Sequence, residues 1–221
     1  MIAGGELGLA WRKLRLQLYA ERVSHGLVRD LRIPIPPPRV RWPVTVRPLV
    51  GDDVGALFNP DDPLMSDATR RQLYERLRLL EAGIGRPFVA VNPAGVTCFV
   101  QWLFGPADNH AVARYYDGIF PPLAADEALL EGAYTVPRFR GLGVMPAAMA
   151  QIAERARDLG AVRVLSFTLH ENTVSLRGSE QAGFVPFVIR SERWRLLRRE
   201  VRFLPVTELA SRFRASARSA T

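Results

Sequence analysis

One stretch decides the fold of this chain: Ala133-Tyr-Thr-Val-Pro-Arg-Phe-Arg-Gly-Leu-Gly-Val-Met-Pro146. A β-prone run ends at Pro137, and two glycines, Gly141 and Gly143, then precede a segment with the apolar period of a helix. Such a junction directs several backbone N–H groups and the positive end of a helix dipole at one point. The stretch therefore predicts an anion-binding loop between a strand and a helix. A turn that merely requires glycine is the alternative.

Two other kinds of glycine loop are excluded by single residues. The dinucleotide-binding fingerprint requires a third glycine three residues after the second, and this chain has Pro146 there. The phosphate loop of nucleoside triphosphatases requires Gly-Lys-Ser/Thr, and the only lysine of the chain is Lys13.

Two spaced motifs carry a resemblance to a known family. The segment Arg138-Phe-Arg-Gly141-Leu-Gly143 has the pattern Q/R-x-x-G-x-G, with Val136-Pro137 before it, and Asn172-x-x-Ser175 is followed by Gly183-Phe184. In these motifs the sequence resembles the GNAT superfamily of acyl-CoA-dependent N-acyltransferases, in which the first motif binds pyrophosphate. The resemblance is firm over residues 129–187 and extends more weakly from residue 44. It does not cover the first forty residues.

The hydrophobic pattern predicts a mixed α/β (α+β) protein. The predicted strands cover residues 44–49, 88–92, 97–104, 129–136, 162–169, 184–189 and 194–203, the last two joined across Ser191-Glu192. The predicted helices lie at 51–58, between Ser66 and Gly83, from 144 to Gly160, and between Asn172 and Gly183. The resemblance implies the acetyltransferase (GNAT) fold: a central mixed sheet of six to seven strands, flanked by helices. Its two central strands splay apart and admit the pantetheine arm.

Four segments are predicted along the chain. Residues 1–33 form an amphipathic helical extension, with a helix over 5–31 that packs on its own domain or on a second subunit. Residues 34–43 include the prolines of the run Ile33-Pro-Ile-Pro-Pro-Pro38 and form an extended proline-rich linker. Residues 44–205 form the acyltransferase domain, and residues 206–221 form a basic tail.

The composition is that of an ordinary globular protein with an excess of arginine. The 221 residues carry a formal net charge of +8, which can favour phosphorylated ligands, anionic membranes or nucleic acid. Nucleic acid ranks last because basic and aromatic residues do not interleave. The single Cys98 is expected in the core, and no second His or Cys lies at metal-ligand spacing from His25, so no metal is expected. Without an apolar run of about 20 residues, we expect a cytoplasmic protein.

Under the resemblance, acetyl-CoA or another acyl-CoA is the co-substrate. Its candidate binding residues are Thr135, Val136, Arg138, Phe139, Arg140, Gly141, Leu142, Gly143, Val144, Met145, Asn172 and Ser175. Backbone N–H groups near Tyr134–Val136 are expected to bind pantetheine and the oxyanion. Asn172 is also well suited to cap the helix that follows it.

The candidate catalytic residues are Glu131, Tyr134 and Ser179. Glu131 lies where some relatives carry a catalytic glutamate, and burial would raise its pKa toward that of a general base. The sequence leaves open whether Glu131 faces the core or the cleft. Ser179 occupies the position at which relatives place a tyrosine that protonates the leaving thiolate, so Tyr134, Tyr115, Tyr116 or water are alternatives. Weaker candidates for the base are Asp108, His110 and Asp117.

The sequence thus predicts an N-acyltransferase that transfers acetyl from acetyl-CoA to a primary amine of a small molecule, an amino sugar or a protein terminus. The expected partners are acyl-CoA and the amine, with a second copy of the chain as a further candidate. The alternative is an acyl-CoA-binding regulatory protein without catalytic activity.

Overall fold

The structure, a computed structural model, describes residues 19–60 and 65–207. These residues form a mixed α/β protein with eight strands, one more than the upper end of the predicted range. They divide into two compact units. The larger contains residues 28–167 and 173–185, and the smaller contains the remaining described residues up to 27, 168–172 and those from 186 onward.

The larger unit contains five strands in the spatial order β2-β3-β4-β5-β6. These are β2 Thr45–Pro48, β3 Arg86–Val91, β4 Thr97–Phe104, β5 Glu127–Thr135 and β6 Arg163–Leu169. The first four pair antiparallel, and β5 pairs parallel with β6. The helices are α1 Asp53–Leu57, α2 Asp67–Glu81, α3 Asn109–Tyr115, α4 Val144–Arg155 and α5 Thr173–Gln181.

Local signals place most of these elements. The Ser66 hydroxyl accepts a hydrogen bond from the Thr69 N–H at the start of α2, and Gly83 follows its end with a φ of +62°. All eight residues of β4 are buried, which fits a central strand covered on both faces. Cys98 lies in this strand and is buried, as predicted.

Two central strands separate as predicted. The parallel pairing of β5 with β6 covers four positions and ends at Leu130↔Ser166, although β5 continues to Thr135. Just beyond that point β5 contains a bulge at Gly132, where its pairing with β4 shifts register. The last residues of β5 therefore border an opening on the side away from β4.

The smaller unit contains strands in the order β1-β7-β8. The strand β1 is Tyr19–Asp30, whose residues up to 27 belong to this unit, and the antiparallel pair is β7 Val185–Arg195 and β8 Arg198–Pro205. The turn between β7 and β8 lies at Leu196-Leu197, both with positive φ, so the predicted turn at Ser191-Glu192 is wrong. Ser191 and Glu192 are buried within β7. The Ser191 hydroxyl donates a hydrogen bond to the Glu21 carboxylate, so this buried polar group has its partner within the protein.

The predicted helix over 5–31 is also wrong where the structure describes it, because residues 19–30 form β1. The apolar residues that suggested the helix, Leu7, Trp11, Leu14 and Leu18, lie outside the described residues. Within β1 the polar side chain of Ser24 is buried and accepts a hydrogen bond from Arg190. Helical periodicity in the sequence gives no information about hydrogen bonds of this kind between distant residues. Most of the predicted tail, residues 208–221, likewise lies outside the described residues.

Candidate functional site

The predicted anion-binding loop follows β5 directly. Pro137–Phe139 form a 3₁₀ turn, Arg140 is extended, and Gly141 and Gly143 adopt φ values of +75° and +79°. Gly143 is the N-cap of α4. These two positive φ values are readily available only to glycine and turn the chain sharply into the helix.

Two N–H groups of this loop are already used within the protein. The Phe139 and Arg140 N–H groups donate within the 3₁₀ turn, to the Val136 and Pro137 carbonyls. Among the described residues, no acceptor receives a hydrogen bond from the N–H groups of residues 141–145. A β-carbon on Gly141 would have no atom within 4 Å, so the backbone there is open to a ligand. Residues 141–145 thus form the N–H cradle, with the dipole of the twelve-residue α4 behind it.

Arg138 and Arg140 flank this cradle and are both exposed. The Arg140 Nε donates to the Thr135 carbonyl at 3.1 Å, and its guanidinium carbon lies 5.9 Å from the centre of the Tyr134 ring. The Arg138 guanidinium lies 4.9 Å from the centre of the Phe139 ring. These contacts hold two positive charges beside the N–H groups.

One further N–H group faces the opening between β5 and β6. The Val136 N–H donates to the Cys98 carbonyl of β4 at 3.1 Å, so it is not available to a ligand. Because successive residues of a strand direct their N–H groups to opposite sides, the Thr135 N–H points away from β4. Of the predicted donors near Tyr134–Val136, Thr135 is the one oriented toward the opening.

A cleft of about 570 Å³ lies over the bulge of β5. Its lining residues come from α2, the end of α3 and β5: Glu75, Arg76, Arg78, Leu79, Tyr115, Tyr116, Glu131 and Gly132. Glu131 therefore lines a cleft, which answers the question that the sequence left open. Its Oε1 accepts a hydrogen bond from the Gly132 N–H at 3.0 Å. The weaker candidates Asp108, His110 and Asp117 do not line this cleft.

Arg76 anchors the bulge from α2. Its Nε lies 3.3 Å from the Gly132 carbonyl oxygen, and its Nη2 lies 3.4 Å from the Ala133 carbonyl oxygen. Its Nη1 donates to Glu75 at 2.8 Å. Arg76 is not predicted as a site residue, because nothing in the sequence distinguishes it from the other arginines of α2.

The two tyrosines of the cleft are held in their neutral form. Burial raises the pKa of Tyr116 strongly, and the nearby charge of Glu131 adds to the effect. Burial also raises the pKa of Tyr115. Both rings belong to an aromatic cluster, with centroids 4.8 Å apart. These phenols suit hydrogen bonding to a substrate better than proton donation.

Tyr134 lines a second, smaller cavity of about 250 Å³ next to the loop. The other lining residues are Gly55, Ala56, Leu57, Asn59, Met65, Val136, Pro137 and Arg138. Tyr134 is buried and stacks on Phe58, with ring centroids 6.4 Å apart. The cavity therefore joins the end of β5 to the start of the anion-binding loop.

The third predicted catalytic residue lies elsewhere. Ser179 is fully buried on α5, and its hydroxyl lies 2.9 Å from the Ser175 carbonyl oxygen and 3.7 Å from the Met149 sulfur. It lines neither cavity described above. This geometry gives Ser179 a packing role between α5 and α4. Asn172 is exposed and directly precedes α5.

Two general features of the described residues bear on function. No helix within residues 19–60 and 65–207 is long and apolar enough to span a membrane. In the same part of the chain, no group of three or more His, Cys, Asp or Glu side chains could hold a metal ion.

Comparison with known proteins identifies one family. Residues 92–184 match the model of the acetyltransferase (GNAT) family. This span contains β4, the cleft residues of β5 and the whole anion-binding loop. None of the curated proteins compared with the chain matches it.

Solved structures resemble the chain at low identity. One is the GCN5-related glucosamine N-acetyltransferase region of a fungal multi-domain GH3 β-N-acetylglucosaminidase. It is 15% identical in sequence, the match covers 83% of this chain and 22% of that chain, and the TM-score is 0.52. A GNAT-family protein from Novosphingobium aromaticivorans DSM 12444 has 15% identity, coverages of 79% and 64%, and a TM-score of 0.48. AAC(6′)-Iy, solved with the bisubstrate analogue CoA-S-monomethyl-acetylneamine, has 21% identity, coverages of 65% and 91%, and a TM-score of 0.43.

These likenesses bear on the fold alone. The first of the three confirms the predicted acetyltransferase fold, with eight strands in place of six to seven. The chain spans 64% and 58% of the lengths of two of the solved GNAT proteins that it matches, from Novosphingobium and from Colwellia psychrerythraea.

Proposed function

Residues 92–184 belong to the acetyltransferase (GNAT) family, and from this premise we propose that the chain is an N-acyltransferase that moves an acyl group from coenzyme A to a primary amine. Acetyl is the proposed acyl group. The amine belongs to a small molecule, an amino sugar or a protein terminus. A cytoplasmic location stays a prediction.

One observation carries the proposal: β5 loses its parallel partner after Leu130 and then leads directly into the N–H cradle. An acyl-CoA diphosphate on residues 141–145 would place its pantetheine arm along the open edge of β5. The Thr135 N–H, which points to that edge, is a suitable donor to pantetheine or to the carbonyl oxygen of the thioester. Arg138 and Arg140 supply positive charge for the diphosphate.

The chemistry requires a base at the amine. A primary amine is largely protonated at neutral pH and must lose a proton before its nitrogen can attack. Glu131 lines the cleft over the bulge and can take that proton. The nitrogen then forms a bond to the thioester carbon and loses a second proton, and the carbon–sulfur bond breaks. The sulfur leaves as a thiolate that takes up one proton, so that one proton is released to solvent overall.

We assign the proton donor to Tyr134. It lines the cavity next to the cradle, whereas the hydroxyl of Ser179 is buried against the Ser175 carbonyl. The raised pKa values of Tyr115 and Tyr116 make these phenols weaker acids than an ordinary tyrosine. They are assigned to acceptor binding instead.

The cleft fits an amine that carries further polar groups. Its volume of about 570 Å³ lies within the range of small-molecule sites, roughly 300–1,000 Å³. Its lining combines two carboxylates, two guanidinium groups and two phenols, so it can pair with an ammonium group and also bind hydroxyl or carboxylate groups.

The test is release of the CoA thiol from acetyl-CoA in the presence of a panel of amines: amino sugars, polyamines, amino acids and short peptides with a free N-terminus. Calorimetry with CoA runs in parallel on the same preparation. The proposal expects binding of CoA and turnover with at least one class of amine. Absence of CoA binding contradicts it.

A second candidate function is an acyl-CoA-binding regulator without activity. The observation that favours it is the burial of Ser179, which leaves no proton donor at the position where relatives of the family carry a tyrosine. Tight CoA binding without turnover on any amine would favour this function over the transferase.

A further inference from the structure

The proline-rich residues 34–43, here called the strap, lie directly against the anion-binding loop. The Arg41 N–H donates to the Leu142 carbonyl at 3.1 Å. A β-carbon on Gly143 would lie 3.0 Å from the Arg39 carbonyl oxygen and 3.2 Å from the Val40 Cα. The strap was predicted as a linker, and it lies outside the residues that match the family. Its backbone is nevertheless part of the wall of the cradle.

Further contacts fix the strap on both sides of these residues. Trp42 packs on Phe139 of the loop, with ring centroids 6.2 Å apart. Val40 lines an apolar cavity between the strap and α4, and Val44, just after the strap, accepts a hydrogen bond from Gln151 of α4 at 2.9 Å. The positions of residues 39 and 41 are therefore held next to residues 142 and 143.

The strap adds two positive charges to the two that the loop itself carries. Arg39 and Arg41 are exposed, as are Arg138 and Arg140. None of these four guanidinium groups forms an ion pair with a carboxylate among the residues the structure describes. Two arginines suffice to pair with the two negative charges of a diphosphate. The second pair is thus in excess of what a diphosphate requires.

We propose that Arg39 and Arg41 bind the ribose 3′-phosphate of coenzyme A. This inference rests on the proposed function, in which the diphosphate lies on residues 141–145. A single ribose separates the 3′-phosphate from that diphosphate, so the second phosphate falls at the border of the cradle. The long side chains of Arg39 and Arg41 start at that border. A guanidinium group can bind two oxygens of a phosphate at once. The 3′-phosphate supplies the negative charge that Arg39 and Arg41 would otherwise lack.

The experiment compares CoA with 3′-dephospho-CoA, which keeps the diphosphate and pantetheine and lacks the 3′-phosphate. Dissociation constants for both are measured by calorimetry on the wild-type chain and on R39A/R41A. The control R86A/R155A removes the same net charge. Arg86 is exposed at the start of β3, opposite Leu103 and away from Thr135, and Arg155 is exposed at the end of α4. Circular dichroism verifies that each variant is folded.

The inference expects wild type to bind CoA about tenfold or more tightly than 3′-dephospho-CoA, a typical effect of charge-assisted hydrogen bonds to phosphate. It expects R39A/R41A to lose most of this difference through weaker CoA binding, while R86A/R155A retains it. Equal wild-type affinity for the two ligands overturns the inference and leaves the proposed function intact. An equal loss for both ligands in R39A/R41A also overturns it, because the strap would then act on the diphosphate. Failure of wild type to bind either ligand overturns both proposals.

Discussion

Replacing Gly143 with alanine will destabilise the protein more than the same change at Gly141. Both residues have positive φ values, +75° at Gly141 and +79° at Gly143. Each alanine therefore incurs the penalty for the left-handed conformation, about 1–2 kcal/mol. At Gly141 the new β-carbon meets no atom within 4 Å. At Gly143 it meets the backbone of Arg39 and Val40 at 3.0 and 3.2 Å, and backbone cannot move aside as a flexible side chain can. Overpacking of this kind adds about 1–3 kcal/mol.

Urea unfolding followed by circular dichroism measures this difference, with G141A as the matched control. In a chain of this size, each kcal/mol lowers Tm by about 2–4 °C, so thermal unfolding gives a second measurement. The expected order of stability is wild type, then G141A, then G143A. If the two variants lose equal free energy of unfolding, the strap does not press on Gly143. If G143A is as stable as wild type, the left-handed conformation is also wrong.

Three further predictions concern the cleft and the core. E131Q should lower kcat by about 10²–10⁴-fold, because an amide cannot take the proton of the amine, and it should leave CoA affinity unchanged. Release of the CoA thiol measures kcat, and calorimetry measures CoA affinity. An unchanged kcat would remove Glu131 as the base. R76A should lower the free energy of unfolding, measured by urea unfolding, by about 1–2 kcal/mol, because the Gly132 and Ala133 carbonyls lose their donors. An unchanged free energy of unfolding would mean that water replaces the guanidinium group without loss. Hydrogen bonds from Arg47 lower the pKa of Asp53 to about 2, so its stabilising contribution is present above about pH 4 and lost as the pH falls through about 2. Urea unfolding at several pH values should therefore show a steeper acid loss in wild type than in D53N, and parallel curves would contradict the assignment.

The elements that the sequence predicts well are those set by local chemistry. The helix after Ser66 begins with a side-chain cap and ends before Gly83, and both signals act within a few residues. The loop at Gly141 and Gly143 is predicted for the same reason, since glycine adopts a positive φ without the steric penalty of other residues. Periodicity then extends these anchors into strands and helices.

The elements that the sequence does not predict depend on distant partners. Ser24 of β1 and Ser191 of β7 are polar and buried, and each hydrogen-bonds a side chain more than 150 residues away. Polarity at such positions suggests exposure or a turn until the partner is known. The strap is a similar case, because its prolines predict an extended chain and give no information about what that chain contacts. Nothing local in the sequence separates Arg76 from Arg71 and Arg78, and what sets it apart is its contact with the Gly132 and Ala133 carbonyls.

The bulge at Gly132 places Glu131 and Tyr134 on the same face of the sheet. Residues three apart on a regular strand point to opposite faces of the sheet. Here Glu131 pairs with Trp102 and Tyr134 pairs with Val100, so three steps on β5 match two on β4. Because Trp102 and Val100 share a face, the extra residue returns Tyr134 to the face of Glu131.

Glycine is required for that arrangement. Its φ is +72°, and a β-carbon there would lie 3.0 Å from both Leu79 and Trp102. Any larger residue at position 132 would therefore strain the bulge or straighten it. Straightening would move Tyr134 to the opposite face from Glu131 and separate the proposed base from the proposed acid. Gly132 thus forms the bulge that puts Tyr134 on the same face of the sheet as its neighbour Glu131.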